Sequence, residues 1–512
     1  MSRKGVVVSN PYNRLTAEQV ELVHRTSLEL LEKPGILFYN REAVEMLEKA
    51  GASSTATREG EYEAWWVSIP PRIVEQVLET VPHKITLGAR NPEHSLQLDT
   101  DEMRVHFGSG SETNIWLEVH PETFVSQDNP QNKRVFPTIT RRRGTVADLC
   151  VSAHLAENLE NLDFFLRNVN VQDKDITEEN KDVNKFFASL NNTTKHVMGG
   201  LTDFRQLDNV VKMAEIIAGG REELQKNPLV SFITSVIKSP LQVVEETAEK
   251  LIAVSRMGLP VVISTSPQGG STAPIEEAGM LAQVNAEVLT GVIINQLAAP
   301  GAPVIYGAVP VRARMDNLHD MYGVPELFHY NASCAQMARY YGIPCYSTAG
   351  VGDSKVPGMQ AAAEKMLTHS TVPLAAPGLI HYSFGLLEKT MTFSMEQALL
   401  DNHHISMAKF LCHEPAISLE TMEEQKEVIN KVMNSPNRLY ARYARRALRR
   451  GDIFPNYPFQ GDLEDQDDTL LKAHAEVQKL LSNPPNHLSE EICTEIFDRV
   501  PGLLTRLNPY EK

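Results

Sequence analysis

The 512-residue chain sets 49 Lys and Arg against 65 Asp and Glu, a formal net charge of -16, and this disfavours a nucleic-acid partner. Its cysteines, Cys150, Cys334, Cys345, Cys412 and Cys493, form no C-x-x-C pair, so a reduced, cytoplasmic protein with neither disulfide framework nor redox couple is expected. The opening MSRKGVVVSN has a basic start but only three consecutive valines, so no signal peptide and no membrane association are expected.

The first predicted element is a helix over Leu15–Lys33. Thr16 and Gln19 make a capping box, and Val20, Val23, Leu28, Leu30 and Leu31 mark its buried face. Residues 1–104 read as an N-terminal helical cap. Eight short apolar, β-rich runs then alternate with helical patterns: Val105–Gly108, Asp163–Val169, His196–Gly200, Leu229–Val236, Pro260–Ser266, Pro303–Val309, Ile343–Ala349 and Leu379–Phe384. Their spacing suits strand, loop and crossover helix, apart from a wider gap after the first run. Several lack clean alternation, as parallel strands buried on both faces do. Eight such units predict a (β/α)8 TIM barrel over residues 105–410, with its chemistry where strands end and βα loops begin. A doubly wound open sheet is the runner-up, against which no G-x-G-x-x-G follows an early strand.

The fifth unit is the clearest. PVVISTS runs into the loop PQGGSTAP, where Thr272 can cap the next helix, Pro274 lies in its first turn, and Glu276 and Glu277 meet its positive end. That helix, Glu276–Leu297, carries Met280, Leu281, Val284, Val288, Leu289 and Val292 near a 3.6 period. Gln283, Asn285 and Glu287 mark it as a crossover helix and not a membrane span. Beyond His404 the pattern is helical and charged, so residues 411–512 read as a C-terminal helical extension. Within it the basic run Arg438–Arg450 is best read as a solvated helix face.

Motifs for familiar chemistries are missing: no P-loop, no HExxH, no GxSxG and no paired C-x-x-C occurs. Asp401–His404 with Cys412, His413 and Glu414 suggests zinc only weakly, because adjacent helical histidines point about 100° apart; no metal is expected. Cys345, on the seventh strand, reads as a buried neutral thiol. The loops instead offer small, amide and aromatic residues. Phe107, Trp116, Phe232, Tyr306, Tyr346, Tyr382 and Phe384 lie near strand ends, where rings either serve as core or box a quaternary ammonium through cation–π attraction.

LTAEQVELVHRTSLELLEKPGILFYNREAVEMLEKAGA and VSIPPRIVEQVLETVP, then GARNPEHS, HFGSGSETN, RRGTVADL and NTTKHVMGG, resemble the trimethylamine methyltransferase (MttB) superfamily. DSKVPGMQAAAEK and PGLIHYSFGLLEKTMTFSMEQALLDN continue the match, which covers roughly residues 15 to 410 in order. The resemblance implies a barrel that moves a methyl group from an amine to the cobalt of a separate corrinoid protein. No cofactor would then be tightly bound, the corrinoid (cobalamin) being supplied by that partner, and a homo-oligomer is implied. The founding enzymes carry pyrrolysine and this chain does not; the loop Gly350–Asp353 is the best region for the equivalent position. Pyrrolysine-free relatives, which this chain resembles, include glycine betaine methyltransferases.

A quaternary substrate leaves as a neutral tertiary amine, so it needs positioning and desolvation and no catalytic acid, base or nucleophile. On that reading Phe107, Tyr306, Tyr346 and Tyr382 are cage candidates for the ammonium. His381, Arg312 or Gln268 could hold a substrate carboxylate, with a backbone nest at Gly269–Ser271 as competitor. Arg312 and Arg314 are better read as loop scaffolding. Asp353 would hold the seventh loop closed. Glu112, as an unmatched anion near the ammonium, would oppose loss of the cation's charge. Glycine betaine is the expected substrate, with carnitine, proline betaine and γ-butyrobetaine as alternatives. A non-enzymatic betaine-binding protein and a zinc-dependent methyltransferase are the other readings.

Overall fold

The computed structural model describes residues 4–125, 133–455 and 469–511. All eight predicted runs are strands of one sheet. Together with β1 (Val6–Val7) they are β2 (Arg104–Phe107), β3 (Phe164–Leu166), β4 (His196–Gly199), β5 (Val230–Thr234), β6 (Val261–Thr265), β7 (Val304–Ala308), β8 (Cys345–Thr348) and β9 (Leu379–His381). The order across the sheet is β1-β2-β9-β8-β7-β6-β5-β4-β3. Neighbours from β2 through β3 run parallel, while β1 pairs antiparallel with β2.

The expected closed eight-stranded barrel is not what forms. The sheet is open and of mixed direction: it curls through 262° and leaves a 14 Å gap. The reason lies in how the free edge of β2 is used. Val105 and Arg104 pair with Val6 and Val7 of β1, leaving only the last residues of β2 to face β3. A single bridge, Gly108 to Phe164, is made there, and a Cβ on Gly108 would lie 2.2 Å from the Phe164 ring. The Asp163 carboxylate spans the seam, accepting from Gly5 N at 3.3 Å and Phe107 N at 2.9 Å. Its backbone N–H donates to Phe107 O at 2.7 Å. Side-chain stitching stands where a continuous ladder was expected.

The N-terminal region is also not the purely helical cap expected. Helix α1 (Ala17–Glu32) does start at the Thr16–Gln19 capping box. But Ile36–Phe38, Ser53–Glu59 and Tyr62–Ser68 make a small sheet with Gln242–Val243, and Val6–Val7 joins the main sheet. The wide gap after β2 holds a long antiparallel hairpin, Ile115–Val125 with Lys133–Arg143.

Crossover helices cover the convex face: α2 (Val146–Asn158), α3 (Lys181–Asn192), α4 (Leu207–Ala218), α5 (Glu245–Arg256), α6 (Glu277–Ala298), α7 (Pro325–Tyr341), α8 (Met359–Thr371) and α9 (Met395–Leu411). Successive side chains of a strand point to opposite faces, and both faces here are apolar. Val197, Val261, Ile263 and Val304 pack under helices, whereas Phe164, Met198, Val262, Ile305 and Leu379 fill the concave side. The hairpin Lys84–Leu87 with Leu96–Asp99 floors that side with Ile85, Leu87, Leu96 and Leu98.

Helix α6 begins at Glu277, later than a Thr272 cap would place it. Thr272 Oγ1 instead accepts from Gln268 N at 2.9 Å, holding the loop in its own turn. The polar residues of α6 are buried and satisfied. Glu287, for example, accepts from Ser239, Leu241 N, Thr265 and Gln283, as a buried carboxylate must. Among the described residues no helix is long and apolar enough to cross a membrane. The basic run forms the helix Ala441–Arg450, which has no buried residue.

Candidate active site

A cavity of about 370 Å³ opens where the parallel strands end. Every strand from β2 to β9, or the loop just after it, contributes: Ser111, Leu166, Gly199 and Gly200, Thr234, Ser264, Val309, Tyr346 and Tyr382. Serine, threonine and glycine dominate this rim, so the mouth is not filled by side chains. A groove of about 590 Å³ lies at the opposite end, lined by Lys84, His94, Arg104 and His106. The βα loops do not converge there.

One wall of the cavity is aromatic. The His381 ring lies between those of Tyr346 and Tyr382, at centroid distances of 4.1 and 3.6 Å, and Tyr322 meets Tyr382 edge-on at 6.4 Å. His381 Nε2 pairs with Thr348 Oγ1 at 2.6 Å. Burial pushes this imidazole well below its ordinary pKa of 6.5, so it is neutral and adds no positive charge to the wall. Tyr382 adopts φ 65°, a left-handed conformation that costs a non-glycine residue about 1–3 kcal/mol. It is held by Tyr382 N donating to Ser109 O at 3.2 Å and Ser383 N donating to Gly108 O at 3.1 Å.

The same cavity holds a charged corner built on β3, α3 and α5. Arg167 and Lys185 are almost fully buried, yet both line the cavity. Glu112 lies between them, 3.1 Å from Arg167 and 2.8 Å from Lys185. Burial alone would raise Glu112, but Lys185 and Arg167 outweigh it and hold the carboxyl below its usual range. The expectation that Glu112 is unmatched is therefore corrected: it is a paired anion. Lys250 completes the corner, donating to Leu201 O at 3.1 Å and Thr202 O at 3.2 Å.

Of the candidate site residues, the fold brings Tyr346, His381 and Tyr382 together. Phe107 and Tyr306 stand on the opposite parity of their strands and point into the helical layer. There Lys409 lies 5.5 Å over the Phe107 ring and the Tyr306 hydroxyl donates to Asn285 at 2.9 Å. Gln268 donates its amide N–H to Asp320. Asp353 accepts from Tyr322 N and Gly323 N at 3.1 and 3.0 Å, tying the loop after β7 to the loop after β8. Neither lines the cavity. Burial raises both Asp320 and Asp353. Arg312 is engaged by Glu326 at 2.8 Å, and Cys345, outside the cavity, has its thiol pushed up to about 12 by burial. Arg167, Lys185 and Lys250 were missed. The available signals were an arginine directly after a strand, in LRN, and a lysine inside the apolar helix stretch KFFASL.

Behind the mouth, Lys365 of α8 and Asp401 of α9 form a fully buried pair at 3.0 Å. His369, Asp401 and His404 converge within 4.8 Å, whereas Cys412, His413 and Glu414 do not join them. The positive charge a metal would bring to this group is already supplied by Lys365.

Residues 3–442 match the family described as Trimethylamine methyltransferase (MTTB). Trimethylamine methyltransferase MttB of Desulfitobacterium hafniense (strain DSM 10664 / DCB-2) is 33% identical over 393 residues, 77% of this chain and 73% of the relative. Glycine betaine methyltransferase of D. hafniense (strain Y51) is 27% identical, covering 95% of this chain and 96% of its own length. Trimethylamine methyltransferase MttB of Methanosarcina thermophila is 28% identical, covering 92% and 93%.

Proposed function

The chain belongs to the trimethylamine methyltransferase family, and on that premise we propose that it transfers a methyl group from a quaternary amine, glycine betaine, to a corrinoid protein, releasing dimethylglycine. Membership in a family of methyltransferases sets aside the non-enzymatic alternative. The observation that carries the reading is the stack Tyr346–His381–Tyr382 at the one place where all the parallel strands end. Ring faces attract a quaternary ammonium, by about 0.5–2 kcal/mol each according to desolvation.

A reduced corrinoid, carried by its own protein, supplies the nucleophile, Co(I). The rim of Ser111, Gly199, Gly200, Ser235, Ser264 and Ser266 fits that demand, since small side chains leave room for a broad, flat group to approach. The protein's own part is to bind, orient and dry the substrate. The methyl carbon leaves without electrons, and the C–N pair stays on nitrogen, so the amine departs neutral and needs no proton. Tyr346 and Tyr382 hold the ammonium, and neutral His381 fixes both rings. Holding the methyl in line with the mouth and excluding water supplies the acceleration.

The test offers purified protein with chemically reduced cobalamin and, separately, glycine betaine, carnitine, proline betaine, γ-butyrobetaine and trimethylamine. Loss of the Co(I) spectrum and appearance of methylated cobalamin with glycine betaine alone is expected. Turnover of trimethylamine, or of no amine even with a cognate corrinoid protein, refutes the proposal.

A further inference from the structure

Three cations line the cavity, Arg167, Lys185 and Lys250, against one carboxylate, Glu112. Asp182 stands behind Lys185 at 3.9 Å, with one oxygen already taken by Thr202 N and Asp203 N. The Arg167 guanidinium stacks 4.4 Å over Phe186 and its Nη2 meets Gly200 O and Glu112. Its Nε and Nη1 are buried and have no acceptor. Buried charged donors are rarely left unmet in a finished site. Lys250 uses two of its three N–H groups on backbone carbonyls. The corner is short of one anion, and its unmet N–H groups are charged donors of the kind a carboxylate accepts from.

We propose that Arg167 and Lys250 form an anion subsite that takes the carboxylate tail of the substrate, with Glu112 as the fixed counter-anion that limits the site to a single negative charge. The proposal rests on the quaternary-amine reading and sharpens it: the cavity selects zwitterions, with the ammonium at Tyr346 and Tyr382 and the tail at Arg167. Choline and tetramethylammonium, which lack the anion, are poor ligands.

Calorimetric titration of the full-length protein with glycine betaine, choline and tetramethylammonium tests it without requiring turnover. Wild type is expected to bind glycine betaine at least tenfold more tightly than choline. Arg167→Met is expected to lose at least tenfold for glycine betaine while tetramethylammonium changes less than twofold, with Arg167→Lys recovering part of the loss. Lys250→Gln, which does not disturb the Glu112 pair, gives the same selective loss should Arg167→Met fail to fold. Equal wild-type affinities for glycine betaine and choline, or equal losses for glycine betaine and tetramethylammonium in the variants, overturn the subsite alone. No binding of any of the three by wild type overturns the quaternary-amine reading and the subsite with it.

Discussion

Replacing Lys365 by Met removes a charge from the interior at nearly constant shape. Lys365 and Asp401 are both fully buried. The ammonium uses all three of its protons: one on Gly350 O after β8, one on Leu386 O after β9 at 2.9 Å, and one on Asp401 at 3.0 Å. Asp401 also accepts from Gly385 N at 2.8 Å and Gln397 at 3.0 Å. The variant leaves that carboxylate without its counter-ion, and breaking one side of a buried pair costs about 3–5 kcal/mol. Removing both partners, Lys365→Met with Asp401→Leu, is expected to recover most of this, because desolvating two charges offsets much of their attraction. Burial raises Asp401, but Lys365 outweighs it and the carboxyl sits below 3.8. Its contribution is therefore present above the unfolded pKa and lost as pH falls through the lower folded value. Urea unfolding at pH 7 followed by tryptophan fluorescence reads the difference. A single variant within about 1 kcal/mol of wild type, or a double variant no better than the single, refutes the argument.

Burial holds His106 and His196 neutral, each with a pKa of about 4 against 6.5. The unfolded chain takes up protons first, so stability falls from pH 6.5 to 4 by roughly 3 kcal/mol per histidine. His196→Gln should flatten the urea midpoint between pH 7 and 5, and an unchanged slope contradicts the assignment. Tyr306→Phe removes the bond to Asn285 and should cost about 1 kcal/mol with KM unaltered. Tyr382→Leu should instead raise KM about tenfold through lost cation–π contact; equal effects on KM would mean that strand parity does not define the cage. Gly199→Ala puts a Cβ 2.5 Å from Arg167 Nε. It should cost about 1–3 kcal/mol and reproduce the selective loss of glycine betaine affinity expected on removing Arg167, which titration of the variant checks directly.

Local chemistry determined a good deal of this protein by sequence alone. The eight β-rich runs are strands because β-branched residues bounded by turn residues have few alternatives, and helical segments of crossover length between them make the strands parallel. Thr16 with Gln19 starts α1 because a capping box needs only residues three apart. The family, too, was legible from short stretches in order. Long-range pairing decided the rest. Two residues of β1 reach β2 from about a hundred positions away and occupy the edge that closure needed. Aromatic parity was hidden because both faces of the sheet are apolar, so no polar alternation distinguishes Tyr346, facing the cavity, from Tyr306, facing the helices. Arg167, Glu112 and Lys185 carry no mutual signal in the chain, since Coulombic partners are set by distance in space. Only the curl of the sheet brings the loop after β2, the end of β3 and the interior of α3 within 3.1 Å and 2.8 Å of one another.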